Sequence, residues 1–138
     1  MAMPAPQYER QPTIYVTPED HHTLSAMVGS GLNAPPGAAL LGQELDRALV
    51  VDRHELPRSF ARLGSKLTYR DLTTGRMRSV QLVLPEDADV DFGRISVLSP
   101  VGAALFGLTK GPAISLETED GRILVLRIVE LEASHDDE

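Results

Sequence analysis

A chain of 138 residues has room for one domain, or one domain with a small appendage, which excludes a large multidomain enzyme. Its 42% hydrophobic and 24% charged content is that of a folded protein, but only 4% is aromatic and Trp is absent, so platforms for stacking nucleobases or walling an aromatic ligand are few. The 13 basic and 20 acidic residues leave a net charge of −7, which opposes binding to a phosphate backbone, and zero Cys removes disulfides, thiolate nucleophiles and the commonest zinc sites.

In chain order, residues 1–12, with Pro4, Pro6 and Pro12, are expected to form a flexible tail that is polar rather than signal-like, and Thr13 to Val16 a short extended stretch. Thr17-Pro18-Glu19-Asp20 is a helix start: Thr17 caps, Pro18 suits the first helical position, and two carboxylates face the positive end of the dipole. Leu24, Met27 and Val28 supply an apolar stripe, and Gly29-Ser30-Gly31 ends the helix after about three turns. Asn33 to Gly37 reads as a turn, and Ala38 to Val50 resumes a helical pattern with Leu41, Leu45, Ala48 and Leu49 on one side. These two segments, within residues 13–57, are expected to pair as an antiparallel helical hairpin, with Pro57 at its boundary.

Residues 58–132 change to short β-like runs divided by turn signals, the texture of a compact antiparallel β domain. Lys66 to Leu72 and Met77 to Leu84 flank Thr73-Thr74-Gly75-Arg76, a hairpin signature. Pro85 to Gly93 is an acidic loop, Arg94 to Leu98 a brief strand, and Ser99-Pro100 caps a short helix through Val101, Ala104 and Leu105. Ala113 to Thr118 and Ile123 to Leu131 form a second hairpin around Glu119-Asp120-Gly121, and residues 133–138 form an acidic tail. The fold class expected is therefore α+β. No apolar run approaches the roughly 18–20 residues that cross a membrane, so no membrane partner is expected and the expected compartment is the cytoplasm.

Few residues point to chemistry. Gly102 and Gly107 are spaced like the ends of a phosphate-binding loop, but Leu108 and Thr109 stand where the cation and the hydroxyl would be needed, so the better reading is glycines that turn the chain. His21 and His22 are adjacent, hence about 100° apart on a helix, and read as a solvated helix start, while His54 and His135 have no neighbouring ligand pattern. Glu86, Asp87, Asp89 and Asp91 alternate like a calcium loop but lack its central glycine and distal glutamate, so a hydrated loop fits better. Charge is uneven: between residues 53 and 78 seven basic residues, among them Arg70, Arg76 and Arg78, face two acidic ones, a net +5. Such a lopsided surface either steers a partner of opposite charge or is simply a solvated strand face.

The segment Ser99-Pro100-Val101-Gly102-Ala103-Ala104-Leu105-Phe106-Gly107-Leu108, followed by Lys110-Gly111 and Ile114-Ser115-Leu116, resembles the C-terminal domain of the bacterial Gre transcript-cleavage factors. It is similar above all to their short relatives, the regulators of nucleoside diphosphate kinase, in which a Leu-Asp-Arg-Ala sequence like Leu45-Asp46-Arg47-Ala48 lies on the second helix. The resemblance spans Ile14 to Leu131 and implies an FKBP-like α+β domain with RNA polymerase core as partner, at the rim of the secondary channel. It implies Leu98, Ser99, Pro100, Val101 and Gly102 as the docking residues, with Leu98 standing where relatives often carry an acid and Pro112 where they commonly carry Asp.

Gre factors assist cleavage because a long coiled coil carries carboxylates that help to hold a metal ion in the polymerase site. The turn Gly29-Ser30-Gly31-Leu32-Asn33-Ala34-Pro35-Pro36-Gly37 has no carboxylate, and a 12-residue arm reaches only about 18 Å. The expectation is a non-catalytic regulator of transcription elongation, a monomer without metal, cofactor or sequence-specific nucleic-acid contact, that competes with Gre factors without stimulating cleavage. Two alternatives stand beside it: an interaction protein of nucleotide metabolism, and a peptidyl-prolyl isomerase, for which only Phe60, Tyr69, Phe92 and Phe106 could line a pocket in the β unit.

Overall fold

The computed structural model describes residues 12–28, 36–52, 59–118 and 120–132. The tails at 1–11 and 133–138, most of the interhelical turn, and the stretch with His54 and Pro57 lie outside the described residues. In order the elements are β1 (Tyr15–Val16), α1 (Pro18–Val28), α2 (Ala38–Arg47), β2 (Leu49–Val50), β3 (Lys66–Asp71), β4 (Met77–Val83), β5 (Arg94–Ser96), α3 (Pro100–Leu105), β6 (Ala113–Glu117) and β7 (Ile123–Leu131). Single 3-10 turns at Pro85–Asp87 and Val90–Phe92 occupy the acidic loop.

The expected α+β architecture is present, but the sheet is mixed rather than antiparallel. Its order is β5-β4-β3-β7-β6, and β5 runs parallel to β4, pairing Gln81 with Arg94 and Val83 with Ser96. The cause is the loop between them, whose two 3-10 turns carry the chain back past the end of β4 before it re-enters in the same direction. A second parallel pair, β1 with β2, was not expected: Leu49 and Val50 leave the helical pattern of α2 because their backbone is claimed by Ile14 and Val16, whose carbonyls accept from Leu49 N–H at 3.0 Å and Val51 N–H at 2.9 Å. β3 and β7 shift register between Thr68 and Tyr69, a bulge that bends the sheet.

Alternation within the strands gives the sheet one apolar face. Leu67, Tyr69, Leu82, Ile114, Leu116, Leu126 and Ile128 point inward and meet Ala103, Ala104 and Leu105 of α3. Ile14, Val16, Leu24, Leu41 and Leu45 belong to the same cluster, so the helical segment and the sheet share one core. A backbone junction reinforces this: Tyr15 N–H donates to Gly107 C=O at 3.0 Å, and Gly107 N–H donates to Ala61 C=O at 2.8 Å. Gly107 has φ 81°, and a Cβ there would lie 2.7 Å from the Tyr15 carbonyl oxygen, so this crossing needs glycine. The residue read as one end of a pseudo phosphate loop is thus a packing point.

One buried charge joins α2 to the N-terminal segment. Glu44 is only 3% exposed, and its carboxylate receives Arg47 Nη2 at 2.7 Å and Arg47 Nε at 3.0 Å, while Arg47 also donates to the Pro12 carbonyl. Burial pushes the Glu44 carboxyl above its ordinary value, and the guanidinium opposes that shift without cancelling it. A folded state that holds this proton more tightly than the unfolded chain loses stability as pH rises from the ordinary glutamate range through the raised value, and regains it as pH falls. Arg47→Ala removes the compensating cation, so it should cost about 1–3 kcal/mol at pH 7 and less at pH 5, which is closer to the range where the raised carboxyl gains its proton. Urea denaturation at the two pH values checks this, and equal losses would contradict it.

Candidate docking site

The five residues singled out from the sequence, Leu98 to Gly102, form the turn from β5 into α3. Ser99 is the N-cap: its Oγ accepts from Gly102 N–H at 3.1 Å and donates to Ser96 C=O at 2.6 Å. Ser96 Oγ in turn accepts from Leu98 N–H at 2.9 Å, so two serines and a proline at the first helical position fix the turn without any charged group. Leu98 and Gly102 are buried, whereas Ser99, Pro100 and Val101 are half-exposed and form the outer surface of the turn. Leu98, which precedes the Ser-Pro, faces the core.

The start of α2 lies directly against this turn. Gly37 N–H donates to Leu98 C=O at 2.8 Å, and a Cβ on Gly37 would stand 2.4 Å from the Ser99 carbonyl carbon and oxygen. The helical segment therefore supports the turn from behind, a contact that sequence reasoning missed because nothing in the Pro-Pro-Gly run names its partner.

The other candidates separate from one another. Asp20 carries an Oδ2 that accepts from Leu63 N–H at 3.4 Å, tying the first turn of α1 to the β unit. His21 Nδ1 lies 3.4 Å from Ser25 Oγ, one turn away on its own helix. In the acidic loop Asp89 caps the second 3-10 turn through Asp91 N–H at 3.1 Å, which uses a carboxylate for local structure. Among the described residues no three His, Cys, Asp or Glu side chains converge as a metal site. Of the aromatics considered for an isomerase pocket, Phe60, Tyr69 and Phe106 are in the core. Phe92 is 75% exposed, with the Arg94 guanidinium 5.9 Å from its ring centroid. It borders an open groove of about 610 Å³ lined by polar side chains such as Lys66, Thr68, Gln81 and Glu130. No helix of the described residues is long and apolar enough to cross a membrane.

This fold matches known proteins. Residues 56–133 fit the family model described as transcription elongation factor, GreA/GreB, C-term, and residues 12–51 fit the one described as Rnk N-terminus. The "Regulator of nucleoside diphosphate kinase" of Escherichia coli is 33% identical over 123 residues, 88% of this chain and 90% of the relative. "Transcription elongation factor GreA" of Syntrophobacter fumaroxidans is 37% identical over 81 residues, and the chain spans only 52% of that protein's length. A solved structure, "Prokaryotic transcription elongation factor GreA/GreB from Nitrosomonas europaea", superposes with a TM-score of 0.67 at 34% identity, covering 89% of this chain and all of that one. The chain belongs to the GreA/GreB elongation factor family, in the short branch of the regulators of nucleoside diphosphate kinase.

Proposed function

We propose that the protein is a non-catalytic regulator of transcription elongation that binds RNA polymerase core near its secondary channel, competes there with Gre factors, and does not stimulate transcript cleavage. The observation that carries this reading is the Ser99-Pro100-Val101 surface at the start of α3, held rigid by its caps and backed by Gly37, on a β unit that matches the GreA/GreB C-terminal model. The helices support the reading that cleavage is not stimulated. α1 has 11 residues and α2 has 10, lengths of about 16 and 15 Å, and both bury side chains in the common core. The turn between them contains no carboxylate, Glu44 is neutralised by Arg47, and Asp20 is bound to Leu63. The arm is short, and its tip offers no acid for holding a metal in another protein's active site. A monomer in the cytoplasm is the state this reading requires.

Pro100→Asp tests the site. The side chain is half-exposed at the first helical position, where aspartate is well tolerated, so folding should be retained while affinity for core polymerase falls at least about tenfold. Unchanged affinity would place the docking surface elsewhere. A second reading, direct regulation of nucleoside diphosphate kinase, draws on the name of the 33% identical relative. Recovery of that kinase without polymerase on the immobilised protein would favour it.

A further inference from the structure

The strand register sets two arginines face to face on the solvent side of the sheet. Arg70 of β3 is the cross-strand partner of Arg127 of β7, and both are exposed. Partners of this kind hold their Cβ atoms about 5 Å apart, where like charges oppose folding. Neither guanidinium forms an ion pair or hydrogen bond with another described residue. Asp71, next in the chain, spends its carboxylate on Thr73 N–H at 2.9 Å and on the Thr73 hydroxyl. The nearest acid in the register is Glu130, opposite Thr68 in the next outward-facing row.

Apolar side chains flank this unneutralised pair on the side of the hairpin turns, while Ser79, Thr68 and Glu130 form the row on the other side. Met77, opposite Arg70 on β4, is 59% exposed. Leu72, just beyond the end of β3, is 37% exposed and joined by its backbone to Val125 at 2.8 Å, while Ile123, at the start of β7, is 40% exposed. Arginine flanked by methionine and aliphatic side chains is the composition of a protein-binding patch rather than of a solvated strand face. It also accounts for part of the positive charge that the sequence concentrates between residues 53 and 78.

We propose that this outer sheet face docks a protein segment presenting carboxylates among apolar side chains. A carboxylate received between Arg70 and Arg127 converts a repulsive pair into two charge-assisted hydrogen bonds, and Leu72, Met77 and Ile123 cover the apolar flanks. A nucleic acid would supply the charge but leave the flanks uncovered, and the net charge of −7 opposes so dense a polyanion. The surface is distinct from the Ser99–Val101 turn and stands whether or not polymerase is the partner there.

Fluorescence anisotropy with labelled poly(Glu,Tyr) tests this, with poly-L-glutamate and a short DNA duplex as comparisons. The protein should bind the mixed copolymer more tightly than either comparison, and Arg127→Glu should weaken that binding about tenfold or more. The same substitution should raise the thermal midpoint, because opposite charges then face each other. This second readout separates a lost contact from a damaged fold. No binding of the copolymer, binding unchanged by Arg127→Glu, equal affinity for the duplex, or a lowered thermal midpoint would each overturn the proposal.

Discussion

Replacing Leu105 by aspartate is expected to remove most of the folding stability, at least about 4 kcal/mol, as read by urea denaturation followed by circular dichroism. Leu105 has no exposed surface and sits in the cluster where α3 meets the sheet and the helical segment. The substitution removes the apolar contacts of a buried leucine, typically worth about 2–5 kcal/mol, and adds a carboxyl group that has no partner there. Against a total stability of about 5–15 kcal/mol for a domain of this size, the variant should be largely unfolded at 37 °C. A loss below about 1 kcal/mol would mean that α3 does not pack as described.

The second large effect comes from Gly102, where two rules of thumb disagree. Glycine inside a helix costs about 1 kcal/mol relative to alanine, so helix propensity alone favours Gly102→Ala. A Cβ at that position, however, would lie 2.0 Å from the Ser96 carbonyl oxygen and 2.9 Å from its carbon, both backbone atoms. Sterics outweigh propensity, and a net loss of about 3 kcal/mol is expected. The damage should extend to docking, because the displaced carbonyl also accepts from Ser99 Oγ and Ser99 N–H. Gly42→Ala in α2 is the control: its nearest neighbour, Val28 Cγ2, would be 3.8 Å away, so propensity wins and stability should rise slightly. If Gly102→Ala behaved like Gly42→Ala in thermal unfolding, the close crossing of α3 over Ser96 would be wrong.

Local chemistry explains which parts of this fold were legible in the sequence. The Thr17 and Ser99 caps are written in the chain beside the helices they start, and each hydroxyl makes the bond expected of it. The β3–β4 hairpin likewise follows from Thr-Thr-Gly, where Gly75 adopts φ 81°. What was not legible depends on residues distant in the chain. Leu49 and Val50 continue the apolar pattern of α2, and only pairing with Tyr15 and Val16 makes them a strand. The parallel course of β5 depends on how the acidic loop doubles back, and the burial of Glu44 on a partner one turn away together with the N-terminal segment. At the proposed docking turn, the Ser99 cap and Pro100 helix start were legible in the sequence, whereas the support from Gly37 lies some 60 residues upstream.

The most direct measurement adds the purified protein to a backtracked elongation complex with and without a Gre factor, and follows both occupancy of the polymerase and shortening of the transcript. Displacement of the Gre factor, with no cleavage beyond the intrinsic rate and suppression of Gre-stimulated cleavage, is the result predicted. Transcript shortening by the protein alone, or retention of the Gre factor at saturating protein, would contradict the account.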